Sequence, residues 1–301
     1  MKIPEISVAV CTYNRADVLP KCLKSLENQT ADKEIFEVLI IDNNSTDNTK
    51  EIADDFCKKH CNFRYIFEEK QGHSQARNRA IAKANGKYLA YIDDDETVNE
   101  QFVESILNCF HETDADVVGG ALFTWVDSPK NPVFYNAVTY NFNLGSERKR
   151  MLPPGFDFGF GCGHSCFKKS LFDELDGFSE DFGIVNGKLQ MGEDSEMGYR
   201  LLKAGKVFYY EPKMIVRHRL RPKELGLKGI IKCSYNTGKG IGKIIRNDIP
   251  LLKKLKKTAA PFVYTLLFLL LFPFYWIRGP WFFAKKLGNI FFAFGVAINV
   301  W

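Results

Sequence analysis

Short apolar runs alternate with segments of helical periodicity through the first hundred residues of the 301-residue chain. Runs rich in β-branched residues predict four buried strands, at Ile6–Cys11, Glu37–Ile41, Phe63–Phe67 and Lys87–Ile92. Between the last two strands, a helix is expected at Ser74–Asn85, where Gly86 would end it. This alternation predicts an α/β protein with a mostly parallel central sheet and flanking helices.

Polar loops follow three of these strands, beginning at Thr12, Asp42 and Asp93. The carboxyl ends of parallel strands meet at one edge of a sheet, and ligands bind outside that edge. The first loop has no Gly-x-Gly-x-x-Gly pattern, which disfavours a dinucleotide-binding enzyme of the dehydrogenase type. Further along the chain, strands are expected near Asp116–Phe123 and Lys206–Glu211, and a basic helical region from Arg217.

Three consecutive carboxylates, Asp93, Asp94 and Asp95, follow the fourth strand. Like charges this close raise one another's pKa and repel unless a cation neutralises them. Mg²⁺ and Mn²⁺ prefer carboxylate oxygens and share their coordination sphere with phosphates. The triplet therefore predicts a site for ribose and a metal-bound diphosphate. The alternative is a solvated acidic turn that caps the next helix.

Several motifs occur together in one order along residues 5–220, and the set resembles the family 2 glycosyltransferases, inverting enzymes of the Rossmann-like GT-A fold. They are Cys11–Arg15, Asp42–Ser45, Gln75–Arg79, Ile92–Asp95, Gly192–Asp194, Tyr199–Leu202 and Glu211–Pro212. The resemblance implies a GT-A catalytic domain in residues 1–220.

The resemblance also implies roles for individual residues. Nucleotide-binding roles fall on Cys11, Thr12, Tyr13, Asp42, Arg77, Asp93 and Asp94. Asp95 would be the chief ligand of Mn²⁺ or Mg²⁺, with Asp94 beside it. His218 is a further candidate, since some relatives use a histidine near the diphosphate or metal and a neutral imidazole can ligate Mn²⁺. A surface histidine in a basic stretch is the alternative.

Asp194 would be the catalytic base. An acceptor hydroxyl is a weak nucleophile, so a carboxylate on the opposite face of the sugar has to take its proton. Glu193 also offers a carboxylate, and we expect it to face the acceptor or to support the base. Both residues could instead complement the dipole at a helix N-terminus, and the two roles are compatible.

A glycine-rich stretch, Phe156–Phe167, is expected beneath the donor sugar and the acceptor, again by resemblance. Its glycines allow close backbone approach to a ligand. Gly163 and His164 are the candidate sugar contacts, although His164 could simply pack in the loop. Many relatives carry a different sequence here, so the donor preference does not transfer.

Charge is distributed unevenly, which bears on partners. From residue 217 onwards there are 16 Lys and Arg against two acids, while residues 1–216 carry a net charge of −9. An acidic body with a basic tail does not suit a nucleic-acid-binding protein. It suits a domain held to anionic membrane lipid by its C-terminal region.

The C-terminal region divides into a basic helical linker, residues 221–257, and a hydrophobic membrane-associated segment, residues 258–301. Thr258–Ile277 contains 20 residues without a charge, about 30 Å of helix, which is long enough to cross a bilayer. A hairpin lying in one leaflet and a buried core helix are the alternatives. The lysines before this segment would keep the catalytic domain at the cytoplasmic face of the inner membrane.

The sequence therefore predicts a metal-dependent glycosyltransferase that uses a nucleotide sugar, with a UDP-sugar as the first expectation, and a glycan or lipid-linked acceptor. A nucleotidyltransferase would also use strand-end carboxylates, but it normally needs a glycine-rich basic loop after the first strand, and residues 11–18 contain no glycine. An inactive, membrane-tethered sugar-binding protein should have lost the acidic residues, which are present here.

Overall fold

The computed structural model describes residues 3–126, 141–151, 161–185, 188–220, 226–272, 275 and 280–300. Its strands are β1 Ile6–Thr12, β2 Phe36–Asp42, β3 Phe63–Phe67, β4 Tyr88–Asp93, β5 Glu96–Val98, β6 Val117–Trp125, β7 Lys149–Met151, β8 Ser165–Lys168, β9 Gly183–Val185, β10 Lys188–Gln190 and β11 Phe208–Arg219. Its helices are α1 Leu19–Glu27, α2 Thr49–Lys59, α3 His73–Lys83, α4 Phe102–Glu112, α5 Ser170–Leu175, α6 Glu193–Lys203, α7 Leu227–Ile245, α8 Leu251–Leu270 and α9 Pro280–Asn299.

The main sheet has the strand order β3-β2-β1-β4-β8-β6-β11-β5, with β7 paired to β11. The first four strands run parallel and confirm the predicted arrangement. Beyond β4 the described pairings are antiparallel: β4 with β8, β8 with β6, and β11 with β5 and β7. The sheet is thus mixed, and the expectation of a mostly parallel sheet holds for its first half only.

The prediction near residue 210 was wrong in its bounds. The expected strand ended at Glu211 and a helical region began at Arg217, but β11 continues to Arg219. Pro212 lies inside this strand without ending it. Asn99 stabilises the extended backbone beyond the proline: its amide donates to the Ile215 carbonyl, and its side-chain oxygen accepts the Ile215 amide, each at 3.1 Å.

Apolar side chains cover both faces of the parallel strands because alternate residues of a strand point to opposite faces. One face of β1 contributes Ile6, Val8 and Val10 to a cluster with α1 and α4, and the other contributes Ala9 to a cluster with α3 and α5. Strands buried on both faces read as continuous apolar runs, which is why the sequence located them.

The amino edge of the parallel strands contains a buried carboxylate, Glu37. Its oxygens accept hydrogen bonds from Ser7 Oγ at 2.7 Å, Arg64 at 2.5 Å and the Asn85 amide at 2.7 Å. Ser7 Oγ in turn accepts the Gly86 amide at 2.9 Å. This network ties β1, β2, β3 and the start of β4 together at the edge opposite the polar loops.

The chain divides into two compact units. The first contains the described residues of 1–123, 141–180 and 197–218, and the second those of 124–140, 181–196 and 219–301. The expected basic linker is largely the helix α7 of the second unit. All eight cysteines are free thiols.

Helices α7 and α9 approach each other closely within the second unit. A Cβ added at Gly238 would lie 2.0 Å from the Phe292 carbonyl oxygen, and one at Gly295 would lie 2.2 Å from the Tyr235 carbonyl oxygen. Glycine is required at such contacts because any side chain would separate the backbones. Among the helices of the described residues, none has the length and apolarity needed to cross a membrane.

Candidate active site

Two of the polar loops are bonded to each other at the carboxyl edge of the sheet. The Asn14 amide donates to Ser45 Oγ at 2.9 Å, and the Asn14 side-chain oxygen accepts the Thr46 amide at 2.7 Å. Asn14 has a φ of +51°, a left-handed conformation that asparagine tolerates better than most residues. The loops after β1 and β2 therefore form one structural body.

Four residues predicted to bind the nucleotide lie in these two joined loops or at the strand ends that precede them, and their environments differ. Asp42 is buried, and its two oxygens accept the Ser45 amide at 3.0 Å and the Tyr65 hydroxyl at 2.8 Å. Tyr13 is 42% exposed, so its ring is accessible to a base. Desolvation raises the pKa of Cys11 to about 12, which keeps the thiol neutral. Thr12, the last residue of β1, is buried.

Arg77 comes from α3 and lies under the end of β4. Its guanidinium is 3.7 Å from the Asp93 carboxylate and 5.5 Å from the centre of the Phe178 ring. The Tyr91 hydroxyl donates to the Arg77 carbonyl at 3.0 Å. Arg77 is almost fully buried, whereas the Asp93 side chain is 48% exposed. The structure thus brings a fixed cation beside the first carboxylate of the triplet.

Asp94 and Asp95 form the turn between β4 and β5, and one arginine holds both. Arg15 Nε donates to Asp94 Oδ1 at 3.1 Å, and its terminal nitrogen donates to Asp95 Oδ2. Burial raises the pKa of Asp94 to about 6, against the opposing effect of Arg15. The turn is therefore not a solvated cap of the next helix, because the two side chains are at most 10% exposed and α4 begins only at Phe102.

His218 lies on the other side of Asp95. Its Nε2 is 3.3 Å from Asp95 Oδ1, so the structure brings together two of the three predicted metal ligands. Among the residues described, no cluster of three or more His, Cys, Asp or Glu side chains is arranged to hold an ion. Metal ions at phosphate sites nevertheless use one or two protein carboxylates and take their other ligands from phosphate and water. A carboxylate beside an imidazole fits Mn²⁺ in this way.

The turn Cys162–His164 packs directly against the acidic loop. A Cβ added at Gly163 would lie 2.5 Å from Glu96 Oε2 and 2.9 Å from Asp93 Oδ2, so a side chain there would have to displace both carboxylates. The sequence predicted that the backbone at this glycine approaches a ligand closely. In the structure the backbone closely approaches the carboxylates of Asp93 and Glu96. His164 is buried, with its ring 6.2 Å from that of Phe142. The preceding residues of the glycine-rich stretch, 156–160, lie outside the described residues.

Glu193 and Asp194 are the first two residues of α6 and belong to the second compact unit. The Gly192 amide donates to Glu193 Oε2 at 3.2 Å. Acidic side chains in a first turn are stabilised by the helix dipole, which is the alternative that the sequence left open. This stabilisation holds whether or not Asp194 also accepts a proton.

Three residues of the site carried no predicted role. Arg15 pairs with both Asp94 and Asp95, Glu96 accepts the Asp93 amide at 3.0 Å, and the Tyr65 hydroxyl donates to Asp42. Arg15 could have been found, because it is the one cation in the first polar loop and the acidic triplet needs a counter-charge. Tyr65 gives no such signal, since an aromatic residue in a strand is most often a core residue.

Comparisons with known proteins support one class of enzyme. The profile described as Glycosyl transferase family 2 matches residues 7–175. Glycosyltransferase AglE of Haloferax volcanii is 30% identical over 240 residues, covering 79% of this chain and 73% of that protein. A GalNAc(5)-diNAcBac-PP-undecaprenol beta-1,3-glucosyltransferase of Campylobacter jejuni is 26% identical, covering 86% of this chain and 81% of that protein.

Solved structures share the fold at lower identity. A mannosyltransferase of Pyrobaculum calidifontis in complex with GDP-Man and Mn²⁺ superimposes with a TM-score of 0.60 at 19% identity, over 81% of this chain and 64% of that one. S. aureus TarS in complex with UDP gives a TM-score of 0.58 at 17% identity, over 95% of this chain and 89% of that one. Both likenesses concern the fold.

Proposed function

Because this chain belongs to the family 2 glycosyltransferases, we propose that it transfers a sugar, with inversion, from a nucleotide diphosphate sugar to a lipid-linked glycan acceptor. The observation that carries the proposal is the meeting of the acidic turn, Arg77 and His218 at the same sheet edge as the loops of Tyr13 and Asp42. The diphosphate of a nucleotide needs charged groups and its base needs polar or aromatic ones, and the two kinds of surface are neighbours here.

The donor is proposed to be a UDP-sugar, bound along the carboxyl edge of β1, β2 and β4. The exposed Tyr13 ring suits stacking on the base, and the loop body that contains Asp42 forms the wall beside it. Arg77 suits the diphosphate, since guanidinium groups bind phosphate oxygens well. The structures of similar fold contain UDP in one case and GDP-Man in the other.

A divalent ion, Mn²⁺ or Mg²⁺, would be held by Asp95, with Asp94 and His218 beside it. When bound, such an ion stabilises the negative charge that develops on the leaving diphosphate. Arg15 has a related task in the chain itself, because it keeps two adjacent buried carboxylates charged and oriented. An ion that binds Asp95 has to share this carboxylate with Arg15 or displace the guanidinium.

Asp194 is proposed as the base and Glu193 as its neighbour at the acceptor. The acceptor hydroxyl loses its proton to the carboxylate as its oxygen attacks the anomeric carbon, and the bond to the diphosphate breaks on the opposite face. One such displacement inverts the anomeric centre. Gly163 and His164 are proposed to lie beneath the sugar, where the turn Cys162–His164 already contacts Asp93 and Glu96.

The acceptor and the location are proposed from the C-terminal region. A relative that covers most of this chain is named for a substrate linked to undecaprenol through a diphosphate. Apolar side chains of α8 are exposed, at Leu251, Leu252, Leu255, Phe262, Val263, Leu266, Leu269 and Leu270. Together with the lysines among them, they suit contact with an anionic leaflet at the cytoplasmic face of the cell membrane.

The proposed function is tested by incubating the full chain with a panel of nucleotide sugars and Mn²⁺ while nucleoside diphosphate release is followed. We expect one donor class to be consumed. The Asp194→Asn variant should lose roughly 10²–10⁴-fold in rate, the usual worth of a general base. Glu196→Gln removes a charge from the same first turn and is the control. Equal rates in the Asp194→Asn variant and the wild type would remove Asp194 as the base.

A further inference from the structure

A groove of about 780 Å³ runs between α8 and α9 in the second unit. The two helices are antiparallel neighbours, since Phe262 packs on Phe294 with ring centres 5.8 Å apart and Phe268 packs on Phe283 at 5.2 Å. The volume lies within the range of about 300–1,000 Å³ typical of small-molecule sites. The groove therefore has the capacity of a ligand site.

The floor of the groove is apolar and its width is set by small residues. Phe268, Ile290 and Ala293 line it and are each less than 10% exposed. Ala260 and Ala293 line it from the two opposing helices, at positions where larger side chains would fill the space. An apolar groove between two helices accepts an extended hydrocarbon chain without leaving polar groups unsatisfied.

Positive charge is concentrated at one end. Lys256 and Lys257 line the groove near the start of α8, and Leu267 and Phe268 line it eleven residues later, about 17 Å along the helix. Lys286 lies one turn beyond Phe283, which packs on Phe268, and so belongs to the far end. One end thus presents two adjacent ammonium groups and the other end presents one.

We propose that this groove binds a single-chain lipid diphosphate, with the diphosphate at Lys256 and Lys257 and the chain along Tyr264, Ile290 and Ala293. Two adjacent lysines match a diphosphate, which carries more charge, even when it is esterified at both ends, than the phosphodiester of a membrane phospholipid. One narrow groove also matches one chain better than two. The inference deepens the proposed function, on which it rests, by assigning the part of the chain that holds the lipid portion of the acceptor.

The experiment uses the full chain in nanodiscs of phosphatidylcholine and a geranylgeranyl diphosphate that carries a diazirine on its chain. After irradiation, the labelled peptides are identified by mass spectrometry. We expect labels at Ala260, Tyr264, Ile290 or Ala293. Unlabelled geranylgeranyl diphosphate should compete, whereas geranylgeraniol and phosphatidylglycerol should not. Labels confined to outward residues such as Leu266 and Leu270, or equal competition by phosphatidylglycerol, would overturn the proposal.

Variants make the charge argument specific. Lys256→Gln with Lys257→Gln should reduce groove labelling at least about ten-fold, since each lysine supplies a charge-assisted hydrogen bond. Lys253→Gln with Lys254→Gln removes the same charge from the same helix outside the groove lining and should change labelling less than about two-fold. Equal losses in both double variants would mean that general attraction to the lipid surface explains the labelling, and would contradict the proposal.

A second variant tests the space itself. Ala260→Phe should reduce labelling by blocking the channel, while Ala259→Phe, one residue away on the exposed side of α8, should leave it. Donor consumption separates this inference from the proposed function. Groove labelling without consumption of any nucleotide sugar would contradict the proposed function alone. Consumption of a nucleotide sugar with labels outside the groove would contradict lipid binding in the groove alone.

Discussion

Carboxylates lie at both ends of the parallel strands, and the two sets are held in different ways. At the amino edge, Glu37 is bonded by a serine, an arginine and a backbone amide, so its contacts are those of a closed structural network. At the carboxyl edge, Arg15 pairs with both Asp94 and Asp95 and His218 lies beside Asp95, so one guanidinium faces two carboxylates. The first arrangement fixes strands, and the second leaves a charge that a ligand can use.

Asp95→Asn should show the largest effect of the four substitutions that test this comparison. The change keeps the shape of the side chain and removes the charge, so sugar transfer should fall by roughly 10²–10³-fold, as for loss of a main electrostatic contact to the transition state. The rate of nucleoside diphosphate release at saturating Mn²⁺ measures it. The melting temperature should stay near that of the wild type, and a large drop in it would mean that Asp95 is a structural residue like Glu37.

Glu37→Gln should show the opposite pattern. Replacing the buried carboxylate removes charged hydrogen bonds to Ser7 and Arg64, which should cost about 2–3 kcal/mol in the free energy of unfolding. Urea denaturation measures the loss. Affinity for the nucleotide sugar, measured below the unfolding transition, should change little. Loss of affinity with unchanged stability would contradict the division between the two edges.

Gly163→Ala tests how closely the turn Cys162–His164 packs against the acidic loop at the carboxyl edge of the sheet. The new methyl group would meet Glu96 Oε2 at 2.5 Å and has to displace this carboxylate, which accepts the Asp93 amide. We expect donor affinity to fall by about ten-fold, since misplaced polar contacts of this kind cost about 1–2 kcal/mol. Isothermal titration with the preferred nucleotide sugar measures it. Gly226→Ala, where nothing lies within 4 Å of the added atom and φ is −94°, is the comparison for a glycine without such a contact.

Asp116→Asn should have the smallest effect, through the pH dependence of stability. Burial alone would raise the pKa of Asp116, but hydrogen bonds from the Val207 amide and the Lys168 ammonium, each at 2.9 Å, hold it below its usual value. A carboxyl with a lowered folded pKa contributes stability above its unfolded pKa, and this contribution is lost as the pH falls.

At pH 7 the Asp116→Asn variant should therefore be about 1 kcal/mol less stable than the wild type. The difference should shrink below about pH 4, where the carboxyl of the unfolded chain is protonated. Denaturation curves at several pH values measure it. A difference that is constant with pH would mean that packing, and not charge, accounts for the effect of Asp116.

The sequence predicted the parallel half of the sheet well and the second half less well. Strands β1 to β4 are buried on both faces, so their apolar runs are local signals. The extent of β11 is a tertiary property, because Asn99 of a distant segment stabilises it after Pro212.

The site divides in the same manner. The acidic triplet and Tyr13 are recognisable from local sequence, whereas the position of His218 beside Asp95 is seen only in the fold. Arg15 and Glu96 act through contacts with residues that the polypeptide brings together only on folding. The roles of Asp194, Glu193 and His164 stay predictions that the proposed experiments address.

The exchange of hydrogen bonds between Asn14 and the pair Ser45 and Thr46 has a consequence for specificity engineering. A loop transplanted alone from another transferase would arrive without its bonding partner and would have to settle against a foreign neighbour. A change of donor preference in this scaffold should therefore replace the loops after β1 and β2 together.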